Sequence, residues 1–224
     1  MAEIKWDQPG ERYYEMGVKN GVLYPQTGEN GTYAAGVAWN GLTQVTESPS
    51  GAEVTDLWAD DMKYASLRSV ETFGGTIEAY TYPEEFAQCD GSAELTTGVT
   101  IGQQRRVPFG FSYVTQIGND TFGESDDGYK IHLVYGATAS PSERQYASIN
   151  DSPDAITFRW EFQTTPVTVE GHKPTAMIVI DSTKVDATKL TNFKKTLYGT
   201  DGTGGSAGTD PTLPTPAQVL AAFS

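Results

Sequence analysis

Few side chains in this chain could carry chemistry, and most of them stand alone. There are two histidines, His132 and His172, and a single cysteine, Cys89. Nucleophilic catalysis needs a Ser or Cys beside a base that a third group orients. Neither histidine lies near a nucleophile motif, no G-x-S-x-G occurs, and the histidines and Cys89 lack metal-ligand spacing. No Gly-rich loop precedes a helix in a phosphate-cradling pattern. Gly118 to Gly128 gathers Asp120, Glu124, Asp126 and Asp127, but without the twelve-residue spacing and terminal Glu of a calcium loop. Both histidines are therefore expected to be structural or surface residues, with no metal, no cofactor and no enzymatic activity. Paired carboxylates are harder to dismiss. Glu71, Glu78 and Glu161 fall in expected strands, with Trp160, Tyr80 and Tyr82 as aromatics that could line a sugar site. Two acids across a cleft suffice for glycoside hydrolysis. A carbohydrate-active or carbohydrate-binding β-sandwich is accordingly one reading; strand residues facing solvent or a neighbouring subunit is the other.

The elements that would position these groups are mostly strands. Tyr129, Ile131, Leu133 and Tyr135 alternate with Lys130, His132 and Val134; Ile156, Phe158, Trp160 and Phe162 alternate with Thr157, Arg159, Glu161 and Gln163. Period two predicts half-buried strands with one face on a core and one on water or a partner. Asn20-Gly21 and Asn40-Gly41 predict two tight hairpin turns, the second between strands Tyr33–Trp39 and Leu42–Glu47. Further strands are expected from Tyr64 to Phe73 and Thr76 to Tyr82, joined at Gly74-Gly75, and from Pro108 to Ile117. A strand buried on both faces is expected from Ala176 to Ile180. Pro83 opens a short helical turn. Near the end the period changes: Asp186 is an N-cap, Leu190, Phe193 and Leu197 recur at helical spacing, and Gly199 stops the helix. Residues 200–212 read as a flexible linker, followed by a short helix with Thr215 capping and Pro216 at its first position. The domain is thus 1–199, with 200–224 appended.

Glu47 to Asp61 (ESPSGAEVTDLWADD) breaks the pattern. Leu57 and Trp58 sit there among Glu47, Glu53, Asp60 and Asp61, without a local core. Aromatics in an otherwise polar loop are a feature that interfaces use.

Bulk properties narrow the class. With 29 acidic and 15 basic residues the net charge is −14, which opposes non-specific nucleic-acid binding. A lone cysteine excludes an intrachain disulfide scaffold. MAEIKWDQPGERYY carries no apolar signal-peptide core, and no apolar run reaches membrane-spanning length, so synthesis and assembly in a cytoplasm are expected.

The segments YYEMGVKNGVLYPQ, GVAWNGLTQVTESPSGAE, FGGTIEAYTYPEEFAQCDGS, IGQQRRVPFGFSY, GYKIHLVYGATASPSE, SPDAITFRWEFQTTPV and MIVIDSTKVD, in this order from Tyr13 to Tyr198, resemble the major tail protein of long-tailed, non-contractile bacteriophages. That resemblance implies a mainly β fold, a sandwich or barrel of the tail-tube type with one flanking α-helix. It implies a structural virion protein: a tube subunit forming hexameric rings that stack into a hollow tube. The tape measure, tail terminator and distal tail proteins are its implied partners, and double-stranded DNA passes through without specific binding. On this reading Glu47, Glu53, Leu57, Trp58, Asp60 and Asp61 form a ring-stacking loop, and Glu71, Glu78 and Glu161 are candidates to face the lumen.

Overall fold

Alternating apolar residues carry most of the chain into strands: β1 (Tyr13–Thr27), β2 (Thr32–Tyr33), β3 (Val37–Trp39), β4 (Leu42–Glu47), β5 (Val54–Ala59), β6 (Met62–Arg68) and β7 (Gly74–Ala79). A 3-10 turn, Glu84–Phe86, runs into α1 (Ala87–Asp90), followed by β8 (Ala93–Thr96), β9 (Val99–Ile101), β10 (Phe109–Asn119), β11 (Tyr129–Ala139), β12 (Phe158–Thr164), β13 (Met177–Asp181), α2 (Ala187–Tyr198) and α3 (Pro216–Phe223). This computed structural model describes residues 3–28, 31–121, 128–149, 154–202 and 207–224. Strand outweighs helix, 45% to 13%, and the fold is the expected mainly β class, a sandwich with a flanking helix.

The main sheet runs β2-β1-β10-β11-β12-β7-β4, all antiparallel, with β3 added to β1 and β13 to β11. It forks at β11. Residues 130–134 of β11 pair with β13, whereas 137–139 pair with β12. The fork lets β12, β7 and β4 fold back over one face of β1, β10 and β11. One core fills that space, built from Leu23, Trp39, Ile77, Phe86, Phe111 and Trp160 among others. Its rings meet mostly edge-on, as aromatic quadrupoles favour: Trp39 lies 5.5 Å from Phe111 and 5.6 Å from Trp160. The opposite face carries Tyr24, Ile131, Leu133 and Tyr135, and packs against Leu190, Phe193 and Leu197 of α2.

Several local expectations give way to this arrangement. β11 is not half-wet: both of its faces are buried, and His132 lies on the sandwich side with Val134. Gly136 (φ +58°) shifts the parity, because the chain must turn past Thr165, whose carbonyl lies 2.5 Å from where a Cβ would stand. β12 does alternate as expected, with Trp160 and Phe162 inward and Arg159, Glu161 and Gln163 outward, but it starts at Phe158, leaving Ile156 and Thr157 outside. β13 is an edge strand rather than a doubly buried one, and its Val179 is 41% exposed.

Neither Asn-Gly pair makes a hairpin. Asn20-Gly21 lies within β1, where two register shifts against β10 bend the strand; Asn20 takes φ +54°, but Gly21 stays outside the left-handed region that a two-residue turn requires. Gly21 instead answers a close approach, since Leu42 Cδ1 lies 2.3 Å from its notional Cβ. Asn40-Gly41 does turn the chain, but β3 then pairs with β1 and β4 with β7. Gly74-Gly75 is not a joint; it opens β7. The β8–β9 hairpin was not expected at all.

The C-terminal segment is fastened to the same body. α2 has its expected cap, with Asp186 accepting from Thr188 N–H and Lys189 N–H. α3 starts in a capping box, Thr215 with Gln218, and Pro216 at the first turn. Residues 200–212 include Thr200 and Thr209, which bond reciprocally, while 203–206 lie outside the described residues. Tyr135 O–H donates to Pro214 O at 2.8 Å, Phe223 packs on Phe193, and Leu213 and Val219 are buried in the helix-side core. Docking of this kind is what a helix too short to persist alone requires. Truncating the fully packed anchor, Leu213→Ala, is expected to cost about 2–4 kcal/mol in denaturant unfolding. Leu220→Ala, on the exposed side, should stay within about 0.5 kcal/mol of wild type. Equal effects would show that the segment is not held by Leu213.

Candidate functional site

The side chains singled out in the sequence fall into three separate places. The first is a polar cluster at the end of the sandwich core. β10 and β11 set Tyr113 and His132 opposite each other in register, and their rings stack 4.5 Å apart and nearly parallel. Glu47, the last residue of β4, reaches over both: Tyr113 O–H donates to Glu47 Oε1 at 2.5 Å, and His132 Nδ1 lies 3.4 Å from the same oxygen. On the other side His132 Nε2 and Thr115 Oγ1 share a hydrogen bond of 3.0 Å, and Thr115 O–H donates to Glu15, which is ion-paired with Lys130. Glu47 is therefore not part of a projecting loop. It clamps β4 to the central strands.

Burial pushes the His132 imidazole below its ordinary range; Glu47 and Glu15 pull the other way, and Lys130 adds to the lowering. Burial and the Glu47 hydrogen bond raise the Tyr113 phenol. Such a pair holds a neutral imidazole and a neutral phenol against one carboxylate, an arrangement suited to fixing strand positions. The remaining candidates lie apart from it. His172 is exposed in the turn before Pro174. Cys89 is wholly buried, and burial pushes its thiol up to about 12, which keeps the thiolate needed for attack or metal binding out of reach. Among the described residues no group of three or more His, Cys, Asp or Glu is placed to hold a metal. Asp120 is described, whereas Glu124, Asp126 and Asp127 lie outside the described residues.

The second place is the outer face of β7 and β12. Glu78 and Glu161 come together there, with the Arg159 guanidinium 3.8 Å from one and 3.7 Å from the other. Arg159 occupies the gap that a sugar or a water would need. Trp160, a candidate sugar platform, is 1% exposed, with Tyr82 packed edge-on against it at 5.3 Å. Glu71 is not in a strand; it stands beside the Ser50–Thr72 bridge, and Ser50 and Thr72 line one cleft with Arg159 and Glu161.

The third place is the segment read as a loop. Residues 54–68 form a two-stranded hairpin, β5 with β6, outside the main sheet. Asp60 and Asp61 (φ +49° and +59°) make its tight turn, both in the left-handed region that a type I′ turn demands. Its root is closed by Ser50 and Thr72, whose backbones bond reciprocally at 2.8 Å and whose hydroxyls meet at 2.9 Å. Val54, Leu57, Trp58, Met62, Tyr64 and Leu67 are all exposed along it, Trp58 at 69% and Tyr64 at 76%. Glu53 lies at the base, where its N–H donates to Ser69 Oγ. Lys63 pairs with Asp56 at 2.7 Å across the strands. Part of β6 falls in the strand expected from Tyr64 to Phe73, whereas β5 was legible only as Leu57 and Trp58 in a polar run.

Comparison with protein-family models and with curated proteins finds no match to this chain. No described helix is long and apolar enough to cross a membrane.

The His132 environment sets a pH dependence. At pH above about 6.5 the imidazole is neutral in folded and unfolded chains alike. Below that value the unfolded chain takes up a proton that the folded chain resists, so stability falls as the pH is lowered. Wild type should lose stability in urea between pH 7.5 and 5.5, and His132→Gln should flatten that part of the profile. Asp90, whose carboxyl is raised by burial, titrates in the opposite sense and is common to both proteins. An unchanged slope in the variant would show that His132 does not resist protonation.

Proposed function

We propose that this chain is a tail-tube subunit of the long-tailed, non-contractile bacteriophage type, which closes into hexameric rings that stack into a hollow tube. The observation that carries the reading is the β5–β6 hairpin. A two-stranded hairpin is marginal by itself, and this one holds six large apolar side chains in water, away from either core. Contiguous exposed apolar surface of this kind marks a protein–protein contact, with Trp and Tyr as its natural anchors. The resemblance of seven ordered segments supports the same reading.

Other features agree with assembly. Among the described residues β13 pairs on one side only, and β2 and β4 end the sheet, so strand edges are available for a neighbour to cover. In a closed ring, head-to-tail contacts cover such edges. A net charge of −14 keeps double-stranded DNA from adhering to the wall it passes. On this reading Glu78 and Glu161, outward on β7 and β12, are lumen-facing, and Glu71 stands nearer the hairpin root. The tube would meet the tape measure, tail terminator and distal tail proteins, assembling in the host cytoplasm and ending in the virion tail.

The clamp at Glu47 dictates how this is tested. Removing Glu47–Asp61 would take away the partner of His132 and Tyr113, whereas replacing residues 51–71 with a short Gly-Ser link spares it. That variant is expected to keep its far-ultraviolet strand signal and to form no tubes under conditions where wild type shows rings or tubes by negative-stain electron microscopy. Normal tubes from the variant would remove the hairpin from the contact. A wild-type chain that stays monomeric at high concentration would overturn the tube reading itself.

A further inference from the structure

A protruding apolar element on each copy calls for a receiving surface elsewhere on the same chain, because a head-to-tail contact joins two different patches. One cleft meets the requirement. It has a volume of about 580 Å³ and lies where β1, β3 and the start of β4 converge, with Val18, Trp39 and Leu42 contributing apolar surface. β3 covers β1 only at residues 21–23, so the edge of β1 before Gly21 is open beside the cleft. Lys19 is exposed at this edge and has no ion-pair partner among the described residues. The Tyr198 hydroxyl in the wall is buried without a hydrogen-bond partner.

Charge distinguishes this cleft from others. Lys19 is its only charged lining residue among those described, on a chain with nearly twice as many acids as bases. Two other clefts are balanced, with Arg159 against Glu161 in one and Lys130 and Lys184 against Glu15 and Asp181 in another; in a third the sole charged lining residue, Lys189, is already bonded to Phe223 O and the C-terminal Ser224 O, whereas no ion pair among the described residues holds Lys19. The hairpin tip has the opposite sign: Asp60 and Asp61 form the turn, directly after Ala59 and Trp58. Position fits as well. Leu42 lines the cleft at one end of β4, and Glu47 leads into the hairpin root at the other, about 17 Å along the strand at ~3.3 Å per residue. Protrusion and recess thus stand at opposite ends of one rigid element.

We infer that the β5–β6 tip of one copy seats in the Lys19 cleft of the next, Trp58 against the apolar floor and Asp60-Asp61 against Lys19. The inference rests on the assembly reading above and names the surface that receives the hairpin. The occupant is a second copy because the acidic tip and the cationic recess are complementary and belong to the same chain. A charge at the rim of such a contact acts through encounter and register, while the aromatic anchor supplies most of the affinity.

The test is a cycle on the full-length chain, read as the concentration at which light scattering and negative-stain microscopy first detect polymer, with circular dichroism to show that each variant is folded. Asn tolerates the left-handed torsions of the turn, so Asp60→Asn/Asp61→Asn removes charge without breaking it. In the wild-type background that double substitution should raise the threshold concentration. Lys19→Glu should raise it by about tenfold through like-charge repulsion. On the Lys19→Glu background, however, Asp60→Asn/Asp61→Asn should lower the threshold, because repulsion is relieved. This reversal of sign is the expected result. Polymer that forms with no effect of Lys19→Glu, or with the Asn pair acting in the same sense on both backgrounds, overturns the cleft assignment and leaves the tube reading standing. A wild-type chain that forms no polymer overturns both.

Discussion

The structure depends on one strand being buried on both sides. β11 lies between two cores, and its alternation divides the labour: Ile131, Leu133 and Tyr135 face the helices, while His132 and Val134 face the sandwich. A strand in that position cannot leave either face to water, and its far edge must be satisfied along its length. The fork achieves this by giving β13 residues 130–134 and β12 residues 137–139. Everything outboard follows. β12 carries β7 and β4 back over the sandwich core, and β13 leads directly into α2, which closes the other side.

Burying β11 on both faces has a cost at His132, since an imidazole taken from water needs partners. It has Thr115 on one nitrogen and Glu47 near the other, and Tyr113 donates to the same carboxylate. These four side chains come from three strands, β4, β10 and β11, and Glu47 is the residue at which the chain leaves the sheet toward the hairpin. A polar demand at the end of the sandwich core is thereby met only in part at the root of the most exposed element, because His132 Nδ1 lies near Glu47 without a hydrogen bond. The arrangement fixes where β4 ends, and so where the hairpin begins.

What could be read in the sequence was what short-range physics decides. α2 and α3 have their capping groups within three residues of the helix start, so Asp186 and Thr215 were legible from spacing alone, while the reciprocal bond from Gln218 was not read. β12 was legible because its polar positions really are wet. β11 shows the same alternation, but Lys130 and His132 are polar by type and their partners, Glu15 and Glu47, lie 115 and 85 positions away; no local pattern contains that information. Turns failed for a related reason. Asn-Gly signals a capacity for left-handed torsions, and at Asn20 that capacity serves a bulge in a strand whose two halves pair with one neighbour. The hairpin that does form turns on Asp60-Asp61, a weaker local signal, because among the described residues β5 and β6 on either side pair only with each other. Glu47 was misplaced for the same reason as His132, and Glu78 and Glu161 were brought together by the register of β7 on β12, which the sequence does not print.

The hairpin also explains why the apolar residues there did not join a core. Among the described residues its strands have no third neighbour and no helix over them, so alternation has no dry side to define, and residues of both parities stay exposed: Leu57 and Trp58, Met62, Tyr64 and Leu67. Within one chain this is a destabilised element, held by the Ser50–Thr72 bridge, the Lys63–Asp56 pair and the ladder of β5 on β6. Exposed ion pairs contribute little, and a lone ladder in water is marginal. On the proposed assembly reading a neighbouring copy supplies the missing stabilisation, and β4, which leads into the hairpin, sets the direction in which that contact is offered.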